Sequence, residues 1–216
     1  MTEINLLNSL PKSKRNIEDR KNEKTSEHIK ISREYGKMYF DGPREYGYGG
    51  YFYDGRWKPV AKEICNNYNL KKNDKFLDIG CAKGFLVKDM LDLGIDSYGI
   101  DISDYALKNS EKETFGRLHK GSAISLPFPD NCFDCVVSIN TLHNLNKNDF
   151  LIALKEMMRV GKKYFFIQVD SYNNQHQKNI FEDWVLTAKC HDYPEGWLQL
   201  FKNVGYKGDW YWTIMG

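Results

Sequence analysis

The stretch Phe76-Leu77-Asp78-Ile79-Gly80-Cys81-Ala82-Lys83-Gly84-Phe85-Leu86-Val87-Lys88-Asp89-Met90-Leu91 decides the fold. A short, mostly apolar run ends in a glycine turn and passes directly into a helix-like segment. This reads as a strand, a tight loop and a helix N-terminus, the place where α/β proteins cradle nucleotide-like ligands. A dinucleotide fingerprint needs G-x-G-x-x-G. Here Ala82 stands at the second glycine position and Phe85 at the third, so the pattern is D-x-G-x-x-x-G.

Strands and helices alternate outward from this stretch. The first strand is read over 75–80 and its helix over 84–93. The second strand is 97–101, followed by a helix that Ser103 is suited to cap. A short third strand is expected near 117–120 and a fourth over 133–139. Phe150, Leu151, Leu154, Met157 and Met158 mark one apolar face of a helix over 147–160. A fifth strand fits 164–169, helices fit about 176–189 and 195–203, and a last strand fits 206–215. This order predicts an α/β fold, with a mostly parallel sheet of six or seven strands and helices on both faces. On the N-terminal side a helix is expected over about 59–68.

Three further features follow the glycine turn in order. Asp101 ends the second strand, where a carboxylate can accept hydrogen bonds from both hydroxyls of a ribose, with Ile102 beside it to pack on a base. NAD sites share this feature, so it does not choose the ligand. Gly121-Ser122-Ala123 leads to Leu126-Pro127-Phe128-Pro129-Asp130-Asn131-Cys132-Phe133-Asp134. Ser138-Ile139-Asn140-Thr141-Leu142-His143-Asn144-Leu145 closes the fourth strand.

Together these features resemble the class I S-adenosylmethionine (SAM) methyltransferases, and among them the type 11 small-molecule group. The resemblance covers about residues 59–205 and implies a Rossmann-like sheet with SAM as cofactor. It implies that Asp78, Gly80, Cys81, Ala82 and Gly84 hold the methionine half. It assigns Asp101 to the ribose, Ile102, Ser122 and Ala123 to the adenine, and Asn140 to the amino group. His143 falls near the transferring methyl and is the candidate base, because imidazole titrates near neutral pH. The family usually ends in two strands forming a hairpin, and only one is evident after Gly205.

Residues 1–37 are polar and charge-dense, with basic runs Lys12-Ser13-Lys14-Arg15 and Arg20-Lys21-Asn22-Glu23-Lys24. They read as a solvated helix or a partly disordered arm. Residues 38–58 form a glycine-punctuated aromatic segment, a candidate cap over the ligand. Tyr51, Tyr53 and Arg56 are its candidate acceptor residues, with Asp170 at the end of the fifth strand as a carboxylate on the pocket rim. Trp197, Trp210, Tyr211 and Trp212 serve equally as pocket wall or as core. The methyltransferase domain is expected over 59–216.

The chain of 216 residues fits one domain plus an extension. Its net charge of +2, from 31 basic and 29 acidic side chains, argues against nucleic acid as the main partner. Five scattered cysteines suit a reduced, cytoplasmic protein, and no run is long and apolar enough for a membrane span. No metal is expected. Asn140 stands where metal-assisted catechol-type enzymes carry an acidic ligand, and Cys132-x-x-Cys135 has no second pair. The reading is transfer of a methyl group to an oxygen or nitrogen of a small molecule. RNA, DNA or protein methylation, non-catalytic SAM binding, and NAD-linked chemistry are the alternatives.

Overall fold

Strand β1 (Lys75–Ile79) is buried from its second residue onward, and the sheet is built outward from it. In this computed structural model, residues 1–11 and 16–215 are described. The basic run Lys12-Ser13-Lys14-Arg15 lies outside them. The other strands are β2 (Asp96–Asp101), β3 (Leu118–Lys120), β4 (Phe133–Ile139), β5 (Gly161–Ser171) and β6 (Asp209–Ile214). Their order is β3-β2-β1-β4-β5-β6, and every pair is parallel. The order reverses between β1 and β4. Open α/β sheets bind ligands at the carboxyl ends of the strands beside such a switch point.

Side chains alternate between the two faces. Leu77, Ile79 and Val136 pack with Phe150, Leu154 and Met157 of α7 (Lys147–Val160) and with Trp197 and Phe201 of α9 (Pro194–Val204). Phe76 and Val137 turn to the other face. They meet Val60, Ala61 and Ile64 of α4 (Trp57–Tyr68) and Leu86 and Met90 of α5 (Phe85–Asp92). A parallel sheet covered on both faces must be apolar throughout, which explains runs such as Cys135-Val136-Val137. Short α6 (Asp104–Lys108) follows β2, and its Ser103 cap accepts from the Ala106 N–H at 3.0 Å.

The C-terminal aromatics belong to this core. Trp197 is fully buried and stacks on Trp212 with ring centroids 6.4 Å apart. Among the described residues there is no seventh strand. The edge of β6 is met instead by the chain's own beginning. The Ile4 N–H donates to the Trp210 carbonyl at 2.8 Å, the Trp210 N–H donates to the Thr2 carbonyl at 3.1 Å, and Leu6 is buried below them. An exposed sheet edge invites pairing with other chains, and residues 2–4 occupy part of it.

The N-terminal arm is not the solvated extension that its charge suggests. It forms α1 (Ile17–Glu23), α2 (Ser26–Ser32) and α3 (Lys37–Asp41) and folds back over the carboxyl ends of the strands. Helix α1 packs on α8 (Gln175–Trp184). The Ser32 hydroxyl, fully buried, donates to the Tyr46 carbonyl at 2.7 Å. Among the described residues of the arm, Arg20, Lys24 and Arg33 donate to backbone carbonyls, Lys21 pairs with Asp183 and Asp41 pairs with Lys83.

Candidate cofactor and acceptor site

At the end of β1 the chain turns through Gly80, whose φ is +84°. A Cβ there would lie 2.2 Å from the Thr141 side chain, so the turn requires glycine twice over. The Gly80 and Cys81 N–H groups donate to the Ile100 carbonyl at 2.8 and 3.1 Å, tying the loop to β2. Ala82 follows with a φ of +51°, an uncommon conformation for a residue with a side chain. Its N–H donates to Oδ2 of Asp101 at 2.7 Å, while Oδ1 accepts from the Ser103 N–H at 2.8 Å. Burial raises the Asp101 carboxyl above the usual range, and these amides oppose the rise. Gly84 (φ +75°) starts α5, and a Cβ there would meet Leu118 at 2.8 Å.

Asp78 differs from Asp101. It is 6% exposed, and no hydrogen bond from the described residues reaches its carboxylate. Burial, followed by the nearby Asp101 charge, pushes its carboxyl up to about 7. A buried carboxylate without a donor is costly unless a ligand completes it. Asp78 lines a cavity of about 590 Å³ with Gly80, Cys81, Ala82 and Asn140, a size suited to a small-molecule site. A glycine turn and a buried carboxylate without a protein donor fit a ligand that brings positive charge to this end of the cavity.

Beyond β4 lies Asn140, with a φ of +55° and its N–H on the Gln168 carbonyl at 3.1 Å. His143, 3% exposed, sits in the turn Leu142–Asn144. Its Nδ1 accepts from the Asp170 N–H at 3.2 Å, and Oδ2 of Asp170 lies 3.9 Å from the same nitrogen. Burial lowers its pKa, with the Asp170 charge opposing. The neutral ring therefore carries its proton on Nε2. In this arrangement the Nδ1 lone pair is occupied, which leaves Nε2 as the nitrogen of His143 that can meet an acceptor.

The cap closes the cavity from above. Tyr51 stacks on Phe85 at 4.8 Å and lies 4.5 Å from the Tyr48 ring, and both tyrosines line the cavity. Asp41 holds this segment in place. Its carboxylate accepts from the Tyr51 N–H at 3.0 Å, from the Tyr105 hydroxyl at 2.7 Å and from Lys83 Nζ at 2.7 and 2.9 Å. Lys83 is buried within the glycine loop itself, so one ion pair joins cap to cofactor loop.

The cavity thus gathers Asp78, Gly80, Cys81, Ala82, Asn140, His143, Asp170, Tyr51 and Arg56. Gly84 and Asp101 are not among the residues that line it. Ile102 is 59% exposed, with Ser122 and Ala123 on the outer side of the β2 end. Tyr53 is a correction: its hydroxyl bonds to Asp89 on α5, and it does not line the cavity. Sequence reasoning missed Asp41, Lys83, Tyr39, Tyr48, Gln168 and Thr187. Lys83 had a signal, being a lysine inside a ligand loop, and so had Gln168, a polar residue near the end of an apolar strand.

Residues 77–166 match the family described as "Methyltransferase domain". This segment is a class I, SAM-dependent methyltransferase domain. The matching relatives include the demethylmenaquinone methyltransferase of Geobacillus stearothermophilus, 34% identical over 116 residues, which are 50% of this chain and 47% of that one. A sterol 24-C-methyltransferase of Gibberella zeae is 24% identical over 185 residues, 76% of this chain and 48% of that one. The chain spans about half the length of these curated relatives. Among solved structures, a SAM-dependent methyltransferase from Methanosarcina mazei superposes with a TM-score of 0.53 at 24% identity, covering 65% of this chain and 82% of that one. One from Archaeoglobus fulgidus gives 0.53 at 23%, covering 69% of each. These likenesses show a shared methyltransferase fold. Its six-stranded, all-parallel form here lacks, among the described residues, the closing hairpin strand. Among them, too, no group of three or more His, Cys, Asp or Glu is arranged to hold a metal ion.

Proposed function

We propose that the protein transfers a methyl group from SAM to an oxygen or nitrogen nucleophile of a small molecule. The observation that carries this is Asp78, a buried carboxylate with no protein donor, facing a capped cavity beside the glycine loop. The cofactor supplies an activated methyl group on a positively charged sulfur. Asp78, Gly80, Cys81, Ala82 and Asn140 would hold its amino-acid end. Asp101, Ile102, Ser122 and Ala123 would hold the nucleoside. Tyr48 and Tyr51 exclude water from above, which strengthens every charge interaction below them. His143, with its proton on Nε2, orients the acceptor as a hydrogen-bond donor. The Asp170 carboxylate is then the group placed to take the proton that the nucleophile loses. A cavity of about 590 Å³ partly covered by Tyr48 and Tyr51 favours a small acceptor over a nucleic acid or protein. The cysteines are unpaired, which supports a cytoplasmic setting. Calorimetric titration with SAM, S-adenosylhomocysteine (SAH) and NAD tests the reading. Binding of the first two alone is expected, and a tight NAD complex would overturn it.

A further inference from the structure

The charges around the cavity are segregated. Asp78 and Asp170 stand on the sheet side, at the ends of β1 and β5, and the cap side carries guanidinium groups. Arg20 of α1 lines the cavity and is only 7% exposed. Its two terminal nitrogens donate to the carbonyls of Arg44 and Glu45, each at 2.7 Å. Its Cζ stands 4.8 Å from the centroid of the Trp184 ring, and the Arg44 Cζ stands 5.4 Å from the same centroid. No carboxylate of the described residues lies within ion-pair distance of Arg20. Glu45 and Glu23 act on it only from further away, while Arg44 repels it.

A buried guanidinium with no carboxylate in ion-pair reach, such as that of Arg20, is an expensive arrangement. Two carbonyls satisfy two of its five N–H donors, and the rest of the fork is unused by the described residues. Arginine paired with an aromatic plane is a common way to recognise a carboxylate or phosphate, because the fork meets two oxygens at once. The Trp184 ring packs beside that fork at the cavity wall. A SAM molecule held by Asp78 and Asp101 brings net positive charge to the sheet side and leaves the cap side for the acceptor.

We propose that the methyl acceptor is an anion, carrying a carboxylate or a phosphate monoester that Arg20 binds beside Trp184. This rests on the methyl-transfer reading above. It places the charged end of the acceptor under α1 and α8, with its nucleophile directed toward His143 and Asp170. It also gives the N-terminal arm a role in selecting the acceptor.

The test titrates three matched probes into the full chain saturated with SAH: glycerol 3-phosphate, glycerate and glycerol. Calorimetry and Trp fluorescence report binding. One of the two anions is expected to bind at least about tenfold more tightly than glycerol, with an affinity that falls as salt is added. Which anion wins separates phosphate from carboxylate. Arg20→Gln is expected to weaken that anion by roughly thirtyfold while SAH binds as before, and Arg20→Lys by less, since it keeps the charge and loses the fork. Unchanged SAH affinity also shows that the variant is folded. Equal binding of glycerol, no anion binding, or an Arg20→Gln chain that binds the anion normally overturns the proposal. So does loss of SAH affinity in Arg20→Gln, which would put the guanidinium on the cofactor. A wild-type chain that bound no SAH would overturn the methyl-transfer reading instead, and the anion titration on that same chain would then decide only whether Arg20 holds an anion.

Discussion

Replacing Asp78 by Asn gives a prediction whose size follows from the site. The Asp78 carboxyl rises from an ordinary 3.8 to about 7, through burial first and the Asp101 charge second. A folded-state pKa above the unfolded one means that the folded protein favours the protonated acid. Its contribution is complete below the unfolded value, near pH 4, and is lost as pH rises through about 7. Just over three units at about 1.4 kcal/mol each make roughly 4 kcal/mol of stability lost by pH 8. Asn has the same shape and no charge to desolvate. Asp78→Asn is therefore expected to match wild type at pH 4 and to exceed it by about 2–4 kcal/mol at pH 8 in urea unfolding of the ligand-free chain. The same variant separates stability from function. SAM brings positive charge, so its affinity for wild type should climb between pH 6 and 8 as Asp78 ionises. SAH lacks the sulfonium charge and should climb less, and Asp78→Asn should bind SAM weakly at every pH. A variant no more stable than wild type at pH 8, together with a pH-independent SAM affinity in wild type, would refute the reasoning.

Asp101→Ala strands the Ala82 and Ser103 N–H groups and removes the proposed ribose acceptor, so SAM affinity should fall by about 3 kcal/mol or more, measured by calorimetry. Asp41→Asn breaks the pair with Lys83 while sparing the shape of the side chain. Trypsin should then cut the cap at Arg44 and Arg56 faster than in wild type, and SAH should no longer protect it; equal cutting of both chains would remove Asp41 from its coupling role. Gly80→Ala forces a Cβ into Thr141 at a positive φ and should destabilise the fold by roughly 2–4 kcal/mol in thermal unfolding. Asp170→Asn should lower turnover with little change in SAM affinity, and a pH–rate profile identical to that of wild type would exclude it as the base.

The helix over 147–160 was legible to the residue because its apolar face and its Asn146 cap are local signals. The fifth strand was not. It begins at Gly161, in a stretch of Lys162 and Lys163 that reads as a loop, because pairing with β4 overrides local preference there. The helix expected to run to 189 ends at Trp184. The chain beyond it turns to bring Val185, Leu186 and Thr187 to the cavity wall. Tyr53 looked like its neighbour Tyr51. The two are two positions apart and both reach the Phe85 ring, and only the contact with Asp89 on α5 shows that the Tyr53 hydroxyl turns away from the cavity.

By itself the sequence determined the alternation of strands and helices, the glycine turn after β1 and the carboxylate at the end of β2. These depend on neighbours in the chain: the period of apolar residues, the freedom of Gly80 and Gly84 at positive φ, and a strand end that must carry Asp101. Tertiary structure alone decided the rest. The arm docks over the site, Asp41 meets Lys83 across 42 positions, the Asp170 amide sets the tautomer of His143, and the C-terminal tryptophans enter the core. Each of these is a contact between distant segments, and only the folded sheet brings such segments within reach of one another.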